Sequence, residues 1–387
     1  MIPRKLESEI HHSLSHFPVT AILGPRQCGK STLAKHVIST LKEGRQSVYL
    51  DLERPSDLNK LEDPEWFLSS QRGKLICLDE IQRVPELFPV IRSLVDESNE
   101  PGQFLILGSA SRDLIKQSSE TLAGRISYKY LTPFLWDEIS SQASLEEYIF
   151  KGGFPKSILA EDTVSFEWRE NFIKTFLERD LLQFAGFTPR TMRRLWMMLA
   201  HSNGQTINYS AIGSSLGVSH TSVRKYIDLL EGTFMVRQLL PYSGNTKKRL
   251  IKSPKVYITD TGLTTALLRL RDFDQAAGHQ VFGSLWEGTV IENIVGQFPM
   301  LDLSFYRTNH GNEVDIVLDD GTNKVVIECK STFSPNLSKG NHAAIGDIAP
   351  LKTFVVIPSD QGYPYKKDID VVSLNELISR IPSLLRV

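Results

Sequence analysis

Residues 24–31, Gly-Pro-Arg-Gln-Cys-Gly-Lys-Ser, follow the spacing G-x-x-x-x-G-K-[ST], with Gly24, Gly29, Lys30 and Ser31 in the fixed places. The chemistry this spacing serves is the gripping of phosphate. Glycines let the backbone wrap so that N–H groups converge on phosphate oxygens. A helix starting at the loop adds its positive end. The Lys30 ammonium reaches β- and γ-phosphates, and the Ser31 hydroxyl is a Mg²⁺ ligand. Pro25, Arg26, Gln27, Cys28 and Thr32 complete the expected nucleotide-contacting set. Cys28, near Lys30 and a helix N-terminus, is in a setting that can acidify a thiol, so redox control of nucleotide binding is one expectation; a small residue filling the loop is the other.

A second group lies downstream. "KLICLDEIQ" is an apolar run ending in Asp79-Glu80. A buried parallel strand delivers both acids to its C-terminal edge, where α/β sheets bind ligands. Asp79 there holds Mg²⁺ through water, and Glu80 polarises the attacking water. "QFLILGSAS" ends a third strand at Ser109, which can hydrogen-bond that water or the γ-phosphate. Arg125 in "LAGRI" and Arg179 in "FLERDL" are candidates to neutralise transition-state charge; surface salt bridges are the alternative for both.

A third group lies near the C-terminus. "EVDIVLDDGTNKVVIECKS" reads as a hairpin about Asp320-Gly321. Strict alternation sends Val314, Ile316, Leu318, Val325, Ile327 and Cys329 to one face, and Glu313, Asp315, Glu328 and Lys330 to the other. A two-residue loop sets Asp315 opposite Val326 and makes Glu328 its diagonal neighbour. Asp315 and Glu328 are then candidate ligands for Mg²⁺ or Mn²⁺, and Lys330 is placed to orient water or neutralise charge in phosphodiester hydrolysis. Glu287 in "GSLWEGTVIENIV" shares a helical face with Val290, Ile291 and Ile294. A buried acid there needs a partner or a metal; Glu292 is the weaker alternative. A solvated hairpin face with one salt bridge accounts for the same letters.

The elements that carry these groups are legible in outline. Strands at "VTAIL", "SVYLDLE", "KLICLDE", "QFLILGS" and "ISYKYLTP", separated by helical stretches, predict an α/β sandwich with a mainly parallel sheet. Residues 136–194 look mostly helical, with a Gly-Gly-Phe-Pro break at 152–155. "INYSAIGSSLGVSHTSVRKYIDLLEGTFMV" predicts a helix-turn-helix. Gly213 permits close packing, Gly217 takes the turn, Ser219 caps, and Val223, Ile227 and Leu230 form the apolar stripe. The alternating segment after it predicts a wing. His220, Ser222, Arg224 and Lys225 on the second helix, with Lys247, Lys248, Arg249, Lys252 and Lys255 on the wing, form a basic cluster able to meet phosphates. A structural or protein-contact module is the alternative.

The chain's 387 residues suggest two or three domains. A formal net charge of -1 excludes a globally basic nucleic-acid binder, so DNA contact falls to a local patch. No apolar run is long enough to cross a bilayer and the N-terminus lacks a signal-peptide core. Cys28, Cys77 and Cys329 are widely spaced, against a disulfide framework or zinc site. A cytoplasmic protein with no membrane partner is expected.

In order, "GPRQCGKSTL", "LDEIQ", "GSAS", "LAGRI", "LTPF", "GGFP" and "ERDL" resemble a family of prokaryotic AAA-type ATPases over nearly the whole chain. The resemblance implies a P-loop ATPase core at 1–135, a helical lid or linker at 136–194, a winged helix at 195–262 and a restriction-endonuclease-like domain at 263–387. Such nucleases place an Asp and then Glu-x-Lys as Asp315, Glu328 and Lys330 stand here, though Val314 replaces the Pro that often precedes the Asp. The implied cofactors are ATP and Mg²⁺. The implied function is an ATP-driven, DNA-directed machine with a metal-dependent nuclease domain, and the implied partners are ATP, DNA and further copies of the chain in a homo-oligomer. The competing expectation is a nucleotide-switched regulator whose C-terminal domain binds a partner without cutting.

Overall fold

The computed structural model describes residues 1–386 except 42–43, 99, 110–117, 119, 181–186 and 245–249, and at 179–180 the backbone alone. Lys247, Lys248, Arg249 and the Arg179 side chain lie outside the described residues. The chain divides into two compact units, Met1–Phe134 with Gly232–Phe234, and Leu135–Glu231 with Met235–Val387.

In the first unit the expected apolar runs become β1 (Val19–Leu23), β2 (Ser47–Asp51), β3 (Leu75–Asp79), β4 (Phe104–Gly108) and β5 (Ile126–Tyr130). All pair in parallel, in the order β2-β3-β4-β1-β5. β1, β3 and β4 are buried at every position, as strands covered on both faces must be. Helix Leu87–Ser98 packs Leu87, Phe88, Ile91, Leu94 and Val95 into the core around them, the spacing of one helical face. Because β4 lies between β1 and β3, their C-terminal ends bring the glycine-rich loop, Ser109 and Asp79-Glu80 to one edge of the sheet.

The second unit holds helices Leu145–Lys151, Asp162–Thr175, Pro189–His201, Tyr209–Leu216, His220–Gly232, Thr261–Leu267, Phe282–Gln297 and Lys339–Ile348. Its strands are β6 (Gln205–Thr206), β7 (Val236–Pro241), β8 (Lys255–Ile258), β9 (Asp302–Arg307), β10 (Glu313–Asp319), β11 (Lys324–Cys329), β12 (Lys352–Val356), β13 (Tyr363–Lys366) and β14 (Ile369–Val372). They form one sheet in the order β13-β14-β12-β11-β10-β9-β7-β8-β6. The parallel pairing of Leu240 with Ser304 carries the β7–β8 hairpin into the C-terminal strands. Segments 136–194, 195–262 and 263–387, expected as separate domains, lie in this unit apart from Gly232–Phe234.

Two local devices shape it. At the Gly-Gly-Phe-Pro break, a Cβ on Gly152 would lie 2.1 Å from Asp260 Oδ1, and the Asp260 carboxylate accepts the N–H groups of Gly153 at 2.8 Å and Leu263 at 3.0 Å. Fully buried Arg169 donates to the carbonyls of Phe150 and Gly262 beside them. In the helix-turn-helix, a Cβ on Gly213 would meet the Val218 carbonyl at 2.7 Å. Gly217 turns the chain at φ 71°, and Ser219 Oγ accepts the Ser222 N–H at 3.1 Å. Val223, Ile227 and Leu230 are buried.

The β10–β11 hairpin corrects the expected register. Asp319 pairs with Lys324, so the loop has four residues rather than two. The Asp320 carboxylate closes it by accepting the N–H groups of Thr322 and Asn323 at 2.8 and 2.7 Å, the local bonding that favours Asp in turns. A shift of two keeps each side chain on its face and brings Asp315 level with Glu328 instead of Val326. The clean alternation also fails. Val314 and Val317 pack in one cluster with Val326 and Ala344, and the register to β9 slips between them. A bulge between Val314 and Val317 puts residues three apart on one side.

Candidate functional site

The glycine-rich loop is shaped by its backbone. Gln27 and Gly29 take φ 61° and 104°, and a Cβ on Gly24 would stand 2.1 Å from the Leu131 carbonyl oxygen. The Lys30 ammonium lies across the loop, donating to the carbonyls of Gly24 at 3.0 Å and Pro25 at 2.8 Å. Helix Lys30–Ser39 follows, its first-turn N–H groups free of intrahelical acceptors. Arg4, which the sequence did not single out, braces the loop from below, donating to the Cys28 carbonyl at 3.1 Å and the Thr132 carbonyl at 2.7 Å.

Cys28 corrects an expectation. Its side chain is fully buried, with Sγ 3.6 Å from the Leu131 carbonyl. Burial pushes the thiol pKa up despite Lys30 and Arg4, so the acidified, redox-sensitive thiol is not what the fold builds.

At the end of β3, Asp79 is 5 % exposed. Its Oδ2 accepts the Tyr49 hydroxyl, and its Oδ1 is buried with no protein partner among the described residues. Tyr49 also meets Ser31, and burial together with Asp79 raises its pKa. Ser31 and Asp79 are thus joined through one phenol, with a carboxylate oxygen left for a cation. Glu80 sits at φ 60°, ψ 44°, a conformation a non-glycine residue holds only under constraint. Its side-chain Oε2 accepts from the Gln82 amide, which also donates to Ser109 Oγ at 3.1 Å.

Arg125 is not brought to this site. Its carbonyl accepts the Val19 N–H where β1 and β5 begin, a strand length of ~13 Å from the glycine-rich loop. Its side chain pairs with Asp96. The distance, not the pairing, rules it out as a partner of its own loop.

The second unit gathers Glu287, Asp315, Glu328 and Lys330, and adds Lys255, Tyr257, Glu313 and Asn341. Lys330 Nζ donates to Glu328 Oε1 at 2.7 Å, as does Asn341 Nδ2 at 2.9 Å. Glu328 is 3 % exposed and its Oε2 is buried without a protein partner among the described residues. Asp315 Oδ2 accepts the Cys329 N–H at 2.9 Å. Glu287 accepts the Tyr257 hydroxyl and the Lys255 ammonium. Burial first, then the Asp315 charge, pushes Glu287 up to about 7 and Glu328 up to about 8; carboxylates this crowded hold protons unless more positive charge arrives.

Lys255 corrects the basic wing. It is 3 % exposed and turned into the acids, while Lys252, Arg224, Lys225 and His220 are exposed. Glu292 is set aside by its own partner, Arg237, whose Nε and terminal nitrogen reach its two oxygens at 2.5 and 2.9 Å. Among the described residues no group of three or more His, Cys, Asp or Glu side chains is spaced to hold a metal by itself. The signal for Lys255 and Tyr257 was in the sequence, as period-two neighbours on one strand face, but nothing local pairs β8 with acids tens of residues on.

Three family models match the chain: an AAA domain over residues 16–140, a domain of unknown function, DUF8612, over 142–274, and another, DUF4143, over 282–377. The chain is 36% identical over 378 residues to the uncharacterized protein Rv2008c of Mycobacterium tuberculosis, covering 97% of this chain and 84% of that one, and matches Mb2031c of Mycobacterium bovis equally. It is 26% identical over 274 residues to an uncharacterized protein of Haemophilus influenzae, covering 63% of this chain and 68% of that one. Among solved structures, a STAND ATPase with a tetratricopeptide repeat sensor from Pyrococcus horikoshii is similar at TM-score 0.30 and 14% identity, over 75% of this chain and 45% of that one. No helix of the described residues is long and apolar enough to cross a membrane. The chain belongs to the family of the mycobacterial protein Rv2008c, and its first unit is an AAA-type P-loop ATPase domain.

Proposed function

We propose that the protein is an ATP-hydrolysing, DNA-directed machine whose second unit carries a Mg²⁺-dependent phosphodiester-cleaving site of the restriction-endonuclease type. The observation that carries the second half is Glu328: a buried carboxylate beside Asp315 and Lys330 with one oxygen left unpartnered. Leaving such an oxygen dry and unpaired is costly, and a cation relieves that cost.

In the first unit, Lys30 exchanges the Gly24 and Pro25 carbonyls for phosphate oxygens, and the loop amides orient the triphosphate. Ser31 and the free oxygen of Asp79 fit Mg²⁺. Glu80, held by Gln82, takes or directs the proton of the attacking water, and Ser109 fixes that water's place. In the second unit, Asp315 and Glu328 fit a divalent ion, Glu287 supports them through Tyr257 and Lys255, and Lys330 offers its ammonium to the water or the scissile phosphate. When bound, Mg²⁺ supplies charge neutralisation at both sites and, at the second, an acidified water. The exposed His220, Arg224, Lys225 and Lys252 supply the phosphate-contacting patch of a winged helix. Since Arg125 is remote from its own loop, an arginine at the γ-phosphate could come from a second copy.

The test is a nuclease assay on single- and double-stranded DNA and RNA with Mg²⁺ or Mn²⁺, with and without ATP. Wild type should cut at least one form; Lys330→Ala and Asp315→Ala should not, at unchanged fold by circular dichroism. Intact substrate throughout defeats this half of the proposal. It would favour the second reading, a nucleotide-switched regulator, which the three carboxylate contacts of Lys255 support by satisfying much of the cluster from within.

A further inference from the structure

Lys255 is a surface residue by type and a buried one by position. It opens β8, pairing with Leu239 of β7 and Thr206 of β6. Its ammonium lies 3.0 Å from Glu287 Oε1, 2.9 Å from Glu313 Oε1 and 3.6 Å from Asp315 Oδ1. The Phe305 ring covers it at 5.4 Å. A lysine at a protein surface gains little from its acids, which water and salt screen. This one is surrounded by oxygens from a helix and from a strand of the C-terminal part, although it belongs to the preceding hairpin.

The cluster divides at Asp315. On one side, Asp315 Oδ1, Glu287 and Glu313 face the Lys255 ammonium. On the other, Glu328 Oε2 faces no protein donor among the described residues. Sites that act on phosphodiesters often use two cations for the two sides of the reacting phosphate. An ammonium ringed by carboxylate oxygens offers one fixed positive charge without demanding a metal's coordination number.

We propose that Lys255 is the built-in cation of this cluster: Glu287, Glu313 and Asp315 are spaced around its ammonium and not for a metal, and the ammonium supplies the positive charge that a divalent ion would have to bring if the lysine were removed and the acids closed in. A divalent ion is then admitted only on the Glu328 side. This second statement rests on the reading of Asp315, Glu328 and Lys330 as a cation-dependent site; the first does not. Tyr257, two residues along the same strand, is a positioning residue: its hydroxyl and the Lys255 ammonium converge on the same oxygen of Glu287.

The test counts ions and needs no turnover. Full-length, nucleotide-free protein carrying Asp79→Asn, to silence the ATP site, is titrated with MnCl₂ by calorimetry. It is compared with the same protein carrying Lys255→Met or Glu328→Gln. Lys255→Met should bind one Mn²⁺ more than its parent, and its melting temperature, lowered in EDTA, should recover with Mn²⁺ but not with Na⁺. If Lys255→Met folds only with Mn²⁺, that too supports the proposal; failure to fold with Mn²⁺, or an unchanged ion count, overturns it. The parent decides the other reading independently. One bound ion lost in Glu328→Gln upholds the Glu328-side site. A parent that binds none while Lys255→Met gains one upholds the role of Lys255 and sinks the cation-dependent reading.

Discussion

The Gln82 side-chain amide lies 3.1 Å from Ser109 Oγ while also donating to the Glu80 carboxylate. One amide thus ties the ends of two neighbouring strands at the place where the proposed mechanism sets the attacking water. Glu80 is held in a left-handed conformation at this point, and its carboxylate depends on Gln82 for direction. Glu80→Gln should keep ATP binding and lose about 10²- to 10⁴-fold in kcat, the usual span for a lost acid–base group. Gln82→Ala should lose less, roughly tenfold to a hundredfold, because it misplaces the group without removing it. Steady-state ATPase rates beside nucleotide titrations check both; normal turnover in Glu80→Gln refutes its role.

Gly24 and Gly217 are both needed, for different reasons. At Gly24 an added methyl would meet the Leu131 carbonyl at 2.1 Å, and a backbone oxygen at a strand end cannot swing away. Gly24→Ala should cost about 1–3 kcal/mol in urea unfolding and abolish nucleotide binding. Gly217 has open space around its missing Cβ but takes φ 71°. Gly217→Ala should cost only ~1–2 kcal/mol of backbone strain and leave nucleotide binding intact. Equal effects of the two on ATP affinity would contradict the assignment of Gly24 to the cradle.

The Cys28 thiol is shielded and protonated. Burial, the largest influence on it, outweighs the neighbouring positive charges of Lys30 and Arg4. Thiolate chemistry needs both exposure and ionisation. Native protein should therefore leave Cys28 unlabelled by a thiol reagent while denatured protein labels readily, and ATP affinity should be the same before and after mild peroxide treatment. Rapid native labelling at Cys28 would show the thiol to be accessible after all.

What was legible in the sequence was local. The strands around Ile22, Leu78 and Ile106 are short, nearly continuous apolar runs, and their length and flanking turn residues place them. Gly213, Gly217 and Ser219 declared their turn by residue type, because few residues tolerate those backbone demands. The acids at Asp79, Asp315 and Glu328 could be singled out because motif spacing is itself local geometry. What stayed hidden depends on contacts distant in sequence. Lys255 reads as one more wing lysine until β7 joins β9, and Arg4 as a tail residue until its guanidinium reaches Thr132. Arg125 looked catalytic by neighbourhood of letters, but position along a parallel strand, not sequence proximity to a motif, decides which sheet edge a residue reaches. The hairpin missed by two residues because Asp320 closes a longer loop with its own carboxylate.

Asp260 should make stability depend on pH in an unusual direction. Its carboxylate accepts two backbone N–H groups, which alone would lower its pKa, yet burial dominates and pushes it from the ordinary 3.8 up to about 6. Between those values the folded chain keeps a proton that the unfolded chain has released. Stability from this group is therefore fully present below pH 3.8, falls as pH rises towards 6, and is level above. The loss is on the order of 3 kcal/mol, about two pH units at ~1.4 kcal/mol each. Asp260→Asn removes this slope. It also turns an amide N–H₂ toward a backbone donor at Gly153 or Leu263, a mismatch costing about 1–3 kcal/mol. The penalty of Asp260→Asn should thus be greatest near pH 4 and shrink by up to ~3 kcal/mol by about pH 7. Urea unfolding of both proteins across that range measures it. The raised carboxyls of Glu287 and Glu328 contribute the same slope to both proteins and cancel in the difference. A penalty that grows with pH would mean that the two N–H groups, rather than burial, govern the Asp260 proton.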